Sequence, residues 1–267
     1  MREFDYHRPA SLKEAASLLR KVKGAKLLAG GQSLIPALKL RLASPPALVD
    51  LAAIAELRGI KLEGATLTIG AMMRHAEVAA SKEVAIGIPA LARLAERIGD
   101  RQVRNLGTLG GAIANNDPAA DYPAAVLGLG ATVNTSKRAI PADKFFTGLY
   151  ETALRPDEIV TSVAFPLAKR AAYVKFRQPA SRFALVGVFV AESAGNVRVA
   201  VTGAANCVFR VKEMEKRLAQ KFAPESVARV KVPPQELNSD LHASAEYRSH
   251  LITVLAQRAV EAALAGK

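Results

Sequence analysis

The chain has 267 residues, half of them hydrophobic, which suffices for one large core or two ordinary ones and excludes a disordered polypeptide. Its single cysteine, Cys207, excludes an internal disulfide and any iron–sulfur cluster or zinc held by several thiolates of this chain, so such a cluster has to sit on another chain. The formal charge of +13 does not bring nucleic-acid binding with it: Lys and Arg are scattered in ones and twos, Trp is absent and aromatics are 5% of residues.

That charge excess reads as a basic proteome or as docking to an acidic partner. The chain has no run of about eighteen apolar residues, and its opening MREFDYHRPA lacks the apolar centre of a signal peptide, so a cytoplasmic protein without a transmembrane segment is expected.

In chain order, a strand broken at Pro9 precedes a helix. Ser11 and Glu14 stand at capping-box spacing ahead of Ala15, Leu18 and Leu19. A short apolar strand over 25–28 stops at Gly30 and Gly31, and further strands are predicted over 47–51 and 67–70. Residues 88–98 place Leu91, Leu94, Ala95 and Ile98 on one helical face, with Pro89 in the first turn. The segment 107–133 begins rich in Gly, Ala and Asn, becomes helix-like over 124–129 and strand-like over 131–133. Strands recur over 159–164, 173–176, 185–191 and 197–202, and Asn196 after Gly195 offers a hairpin turn. The end is helical over 211–218 and 244–264, with Leu251, Val254, Leu255 and Ala259 on one side. The change in pattern near 166–171 marks a boundary.

Two glycine segments stand out: Ala29-Gly30-Gly31-Gln32-Ser33 and Gly107-Thr108-Leu109-Gly110-Gly111. Paired glycines permit positive φ and let backbone amides approach an anion, while Ser33 or Thr108 adds a hydroxyl. Each pair alone reads better as an ordinary tight turn; the two together, with hydroxyls nearby, equally suit a clamp on a diphosphate. No P-loop is present, and Gly128-Leu129-Gly130 lacks the third glycine of a dinucleotide fingerprint.

These two segments, the run NLGTLGGAIANNDPAADYPAA and the closing AEYRSHLITVLAQRAVEAAL together resemble the flavin-binding medium subunit of molybdenum hydroxylases, the family of carbon monoxide and xanthine dehydrogenases. The resemblance spans the whole chain. It implies an α+β fold: a p-cresol methylhydroxylase-like FAD-binding domain over 1–167, made of α/β subdomains at about 1–55 and 56–167, then a C-terminal domain over 168–267 with a three-stranded antiparallel sheet and helices.

Carried over by residue, Lys26, Leu27, Leu28, Ala29, Gly30, Gly31, Gln32 and Ser33 match the first segment that holds the FAD diphosphate. Thr108, Leu109, Gly110, Gly111 and Ala112 match the second; relatives often carry Asn, Asp or Ser where Ala112 stands, which leaves only a backbone contact there. Asp121 matches a flavin-side carboxylate, Val160 an apolar contact to the flavin or adenine, and Arg177 a cation beside the isoalloxazine ring. Asp117 before Pro118 and Asp121 before Pro123 also read as helix N-caps, and Arg177 also as a plain surface charge. Gln32 replaces the histidine that some distant flavoproteins bond covalently to flavin, so a non-covalent FAD is implied.

The resemblance further implies electron transfer from a [2Fe–2S] partner chain to quinone, NAD or oxygen, with substrate oxidised on a separate molybdopterin chain in a heterotrimer. A self-contained FAD oxidase or reductase would need an acid or base of its own beside the flavin, and His7, His75, His242 and His250 form no paired constellation for one. His75 reads as a helix-start or surface residue. A scaffold that has lost its cofactor is opposed by the intact glycine segments. Neither the substrate of the complex nor the acceptor is legible in this chain.

Overall fold

The structure, a computed structural model, describes residues 1–193 and 195–266. Three sheets succeed one another along the chain, with a small two-stranded pair, Phe146–Gly148 with Glu151–Thr152, beside the second. The first sheet is parallel, with Ala47–Asp50 between Asp5–His7 and Lys26–Leu28. All four residues of its middle strand are buried, as expected for a parallel strand covered on both faces. Ala15 on helix Leu12–Lys21 joins Val49, Leu51, Ile54 and Leu57 in the core beneath it. Ser11 caps this helix by accepting from the Glu14 N–H at 3.3 Å, while the Glu14 carboxylate accepts from Ala10 rather than from Ser11.

The second sheet is antiparallel, in the order Ile60–Glu63, Thr66–Gly70, Val160–Pro166, Thr132–Thr135, Ala139–Pro141. Strand Val160–Pro166 therefore returns from far along the chain to fill the middle of the sheet. Helix Pro89–Glu96 buries Leu91, Leu94 and Ala95 against this core as its periodicity predicts, while Ile98 lies beyond its end and is half-buried.

The third sheet is antiparallel, formed by Arg170–Arg177, Ala184–Ser193 and Asn196–Thr202, with Phe209–Arg210 adding a fourth short strand to the three the resemblance implies. Ser193 pairs with Asn196, so Asn196 opens the next strand rather than forming the turn, and Gly195 before it takes a φ of +83°; Ala194 lies outside the described residues. Helix Ala245–Leu264 covers one face with Leu251, Ile252, Leu255, Ala256, Ala259 and Val260. Val254 sits at the edge of that stripe and is half-buried.

The other face rests on helix Tyr122–Gly128, every residue of which is buried between the second and third sheets. A Cβ at Gly128 would stand 2.8 Å from the Phe189 ring. The joint between the two sheets is therefore packed too closely for a larger residue.

Candidate functional site

The strand Lys26–Leu28 pairs in parallel with Ala47–Asp50, with Leu28 opposite Asp50. The carboxyl ends of both strands thus open on one side, where open parallel sheets place their ligands. The first glycine segment leaves the sheet at that edge. Gly31 takes a φ of +71°, a conformation that strains any residue with a Cβ. Among the described residues, the backbone N–H groups of Gly30, Gly31, Gln32 and Ser33 have no protein acceptor. Four consecutive unspent donors around a left-handed glycine are the makings of an anion-binding nest. Gln32 folds its amide back onto the Gly30 carbonyl at 3.3 Å, and Ser33 makes no side-chain capping bond to helix Leu34–Lys39.

The second glycine segment differs from the loop its composition predicts, because it is the first turn of helix Leu109–Asn115. Its amides are already used: Leu109 N–H donates to Met73 O at 3.0 Å, Gly110 N–H to Ala71 O at 2.8 Å, and Gly111 N–H to Thr108 Oγ1 at 3.2 Å. The glycines serve packing instead. A Cβ at Gly110 would lie 2.5 Å from the Ala71 Cβ, and one at Gly111 would lie 2.8 Å from Thr108 Oγ1 and 3.3 Å from the Ala29 Cβ. The second segment is thus a floor on which the first loop rests. Leu109 is wholly buried, Ala112 is half-buried against the central core, and Thr108 is the residue of this segment that faces the opening.

Between the two lies a cleft of ≈ 230 Å³ lined by Leu28, Ala29, Gly30, Gly31, Ile35, Asp50, Ala52, Arg58, Met72, Arg74, Leu106 and Thr108. Arg58 and Arg74 are its two cations. Arg58 leans on Glu77 at 3.7 Å, and the backbone of Arg74 bridges to Thr108. Asp50 is the one carboxylate, and it is occupied: Oδ2 accepts from the Tyr6 hydroxyl at 2.5 Å and Oδ1 from the Ala52 N–H at 2.9 Å. That hydrogen bond to Asp50 pushes the Tyr6 hydroxyl above its ordinary pKa. Sequence reasoning missed Arg58, Arg74 and Asp50, since none stands in a motif; only the sheet topology brings them to the glycine loop.

The remaining residues singled out from the sequence fall outside the cleft. Lys26 is exposed on an edge strand, Leu27 packs into the N-terminal core, and Val160 is buried in the central core at the start of its strand. Asp121 is buried, its carboxylate engaged by the Tyr173 hydroxyl at 2.6 Å and by Lys175 Nζ at 3.0 Å. It makes no capping bond to the helix that follows, and Asp117 accepts from the Ala119 N–H and the Tyr150 hydroxyl, so neither aspartate caps a helix. Arg177 is exposed at the end of strand Arg170–Arg177. His75 does begin helix His75–Ala80, but it is buried rather than on the surface. Its backbone N–H donates to Gly107 O at 2.9 Å and its ring lies 5.3 Å from that of Tyr122, while Nδ1 has no partner. Burial, reinforced by Arg104, holds this imidazole down to about 4.

A nest of free amides, a hydroxyl and two arginines beside apolar Leu28, Ile35 and Met72 fits a dinucleotide held by its diphosphate. Residues 2–168 match the FAD binding domain in molybdopterin dehydrogenase, and the chain belongs to that family of oxidoreductases. It is 37% identical to the carbon monoxide dehydrogenase medium chain of Hydrogenophaga pseudoflava, over 98% of this chain and 97% of that one. It is 35% identical to the nicotine 6-hydroxylase medium subunit of Paenarthrobacter nicotinovorans, over 96% of this chain and 95% of the relative. Among solved structures, the carbon monoxide dehydrogenase of H. pseudoflava has a chain that superposes with a TM-score of 0.88 at 35% identity, covering 99% of this chain and 98% of its own. Quinoline 2-oxidoreductase from Pseudomonas putida 86 superposes with a TM-score of 0.90 at 29% identity, with coverage of 99% and 98%. Among the described residues no helix is long and apolar enough to cross a membrane.

Proposed function

We propose that this chain is the electron-relaying FAD subunit of a molybdenum hydroxylase, taking electrons from a [2Fe–2S] partner chain and delivering them to an external acceptor such as a quinone, NAD or oxygen. The observation that carries the reading is the run of four free backbone amides, Gly30 to Ser33, at the carboxyl edge of a parallel sheet within reach of Arg58 and Arg74. Near end-to-end likeness to the medium chain of a carbon monoxide dehydrogenase and the medium subunit of a nicotine 6-hydroxylase supports it.

In this reading the amides of 30–33 and the Thr108 hydroxyl bind the diphosphate. Arg58 and Arg74 offset its charge, and Leu28, Ile35 and Met72 exclude water beside it. Bound there, FAD supplies the one- and two-electron chemistry, while the protein sets its position and electrostatics. The cleft is smaller than the roughly 300–1,000 Å³ that encloses a drug-sized ligand, so an extended FAD runs beyond it across the protein. Arg177 would then lie beside the isoalloxazine ring. Gln32 has no nucleophilic nitrogen to bond to the flavin, so the FAD is held non-covalently.

The division of labour follows from composition. One cysteine cannot ligate a [2Fe–2S] cluster, so electrons reach this chain across an interface, and the basic surface suits an acidic partner. We place the boundary between FAD-binding and C-terminal domains at 167–168, where the central sheet gives way to the third. Co-purification from the native host with flavin, iron and molybdenum analysis tests the whole. The expected result is a three-chain assembly with FAD released from this chain by acid. A single-chain flavoprotein turning over a small substrate would instead establish a self-contained oxidase.

A further inference from the structure

Asp121 and Lys175 form an ion pair of 2.9 Å whose side chains are 3% and 4% exposed. Asp121 stands at the head of the buried helix Tyr122–Gly128, and Lys175 on strand Arg170–Arg177 of the third sheet, so the pair bridges the two units. Tyr173, two residues away on the same face of that strand, donates its hydroxyl to the same carboxylate at 2.6 Å. Lys175 Nζ also donates to the carbonyl of Arg182, in the turn of the hairpin that this strand forms with Ala184–Ser193. Arg182 has a φ of +62°, and its guanidinium reaches the Gly99 carbonyl at 3.4 Å, returning the contact to the FAD-binding part of the chain.

A circuit therefore runs from Asp121 through Lys175 and Arg182 to Gly99. Arg177 follows two residues after Lys175 at the exposed end of the same strand, where the pairing with Ala184–Ser193 shifts register, so its placement depends on how this hairpin is held. A buried ion pair is weak evidence of stabilisation, since desolvation offsets its attraction, whereas removing one partner strands a charge. Its geometric consequence is more specific: among the described residues, Lys175 is the one side chain hydrogen-bonded both to Asp121 and to the hairpin turn.

We infer that Lys175 is a positioning residue, which through Asp121 and the Arg182 carbonyl fixes the hairpin of the third sheet so that Arg177 is presented to the flavin. The inference rests on the FAD reading above and on Arg177 facing that cofactor. It assigns Asp121 an action through Lys175 rather than through contact with FAD, because both carboxylate oxygens are already engaged.

The test uses the full chain, with FAD affinity from fluorescence quenching and flavin midpoint potential from spectroelectrochemistry. Lys175→Met breaks the circuit. Asp121→Asn combined with Lys175→Met breaks it without leaving a buried charge, which keeps the test readable if the single variant fails to fold. Arg198→Gln is the control: Arg198 bridges the same two units through Asp143 at 2.8 Å but has no link to the hairpin turn. Both circuit variants should weaken FAD binding on the order of tenfold and lower the potential, because a displaced Arg177 no longer favours the anionic reduced flavin. The control should lower only the melting temperature. If the double variant binds FAD and poises it as wild type does, or if Arg198→Gln moves both readouts equally, the inference is overturned. A wild-type chain that takes up no FAD would overturn the FAD reading together with it.

Discussion

Gly30 lies against the main chain of Leu106, so near that a Cβ on Gly30 would collide with the Leu106 carbonyl and stand 2.6 Å from the Gly107 Cα. The two glycine segments, 76 residues apart from Gly30 to Leu106, are therefore one object: the free-amide loop is shaped by its seat on the second segment. Gly30→Ala has to lift the loop off that seat. The expected cost is about 1–3 kcal/mol of stability, the ordinary range for overpacking, together with a loss of FAD affinity. Thermal unfolding and FAD titration of the same preparation read the two effects; an unchanged affinity would mean that the loop does not depend on its seat.

Gly31 and Gly110 look alike in the sequence and should fail differently. Gly31 needs a positive φ within the amide nest, so Gly31→Ala should weaken FAD binding with a stability loss of about 1 kcal/mol. Gly110 faces the Ala71 backbone, away from the cleft, so Gly110→Val should lower the melting temperature of the FAD-free chain by itself. Comparing apo-protein melting temperatures decides the matter: equal values for the two variants would contradict the separation of roles.

Arg58 and Arg74 are predicted to carry the charge of the site. Hydrogen bonds to charged groups contribute about 1.5–3 kcal/mol, so Arg74→Gln should raise the dissociation constant for FAD at least about tenfold. The salt dependence of binding should also shrink, since one charge fewer is screened. Arg58→Gln should do less, because Arg58 already leans on Glu77. FAD titrations at low and high salt provide the measurement, and an Arg74→Gln variant with wild-type affinity would remove that residue from the site.

What could be read from the sequence follows the range of the physics involved. Helix Pro89–Glu96, the third-sheet strands and helix Ala245–Leu264 were legible because their periodicity is local. Helix Leu109–Asn115 was not, because its first turn carries two glycines that disfavour a helix locally; Thr108 capping and the seat on Ala71 override that propensity. The first loop was visible as a glycine pair, yet its four free amides appear only when every other donor is accounted for. Arg58 and Arg74 reach the cleft through sheet topology, which no spacing rule foresees. Asp121 was singled out by resemblance as a flavin-side carboxylate, and its engagement with Lys175, 54 residues on, is a tertiary fact.

The last prediction concerns His75, which lies buried under the second segment with its backbone N–H on the Gly107 carbonyl and its ring Nδ1 unpartnered. Burial holds its pKa at about 4 against 6.5 for the unperturbed group. The folded pKa lies below the unfolded one, so between these values the unfolded chain binds a proton that the native chain refuses. Stability tied to this residue is therefore complete above about pH 6.5 and is lost as pH falls toward 4. A shift of this size corresponds to about 3 kcal/mol over that window. His75→Leu, close in volume and unable to titrate, should flatten the acid limb by that amount. Denaturant unfolding of both proteins at several pH values isolates the residue, because the carboxylates that also titrate there are common to both. The FAD affinity of the wild type should fall over the same window, since a protonated ring beneath Gly107 disturbs the floor on which Ala29 and Gly30 rest. Parallel stability curves for the two proteins would show that His75 does not set this pH dependence.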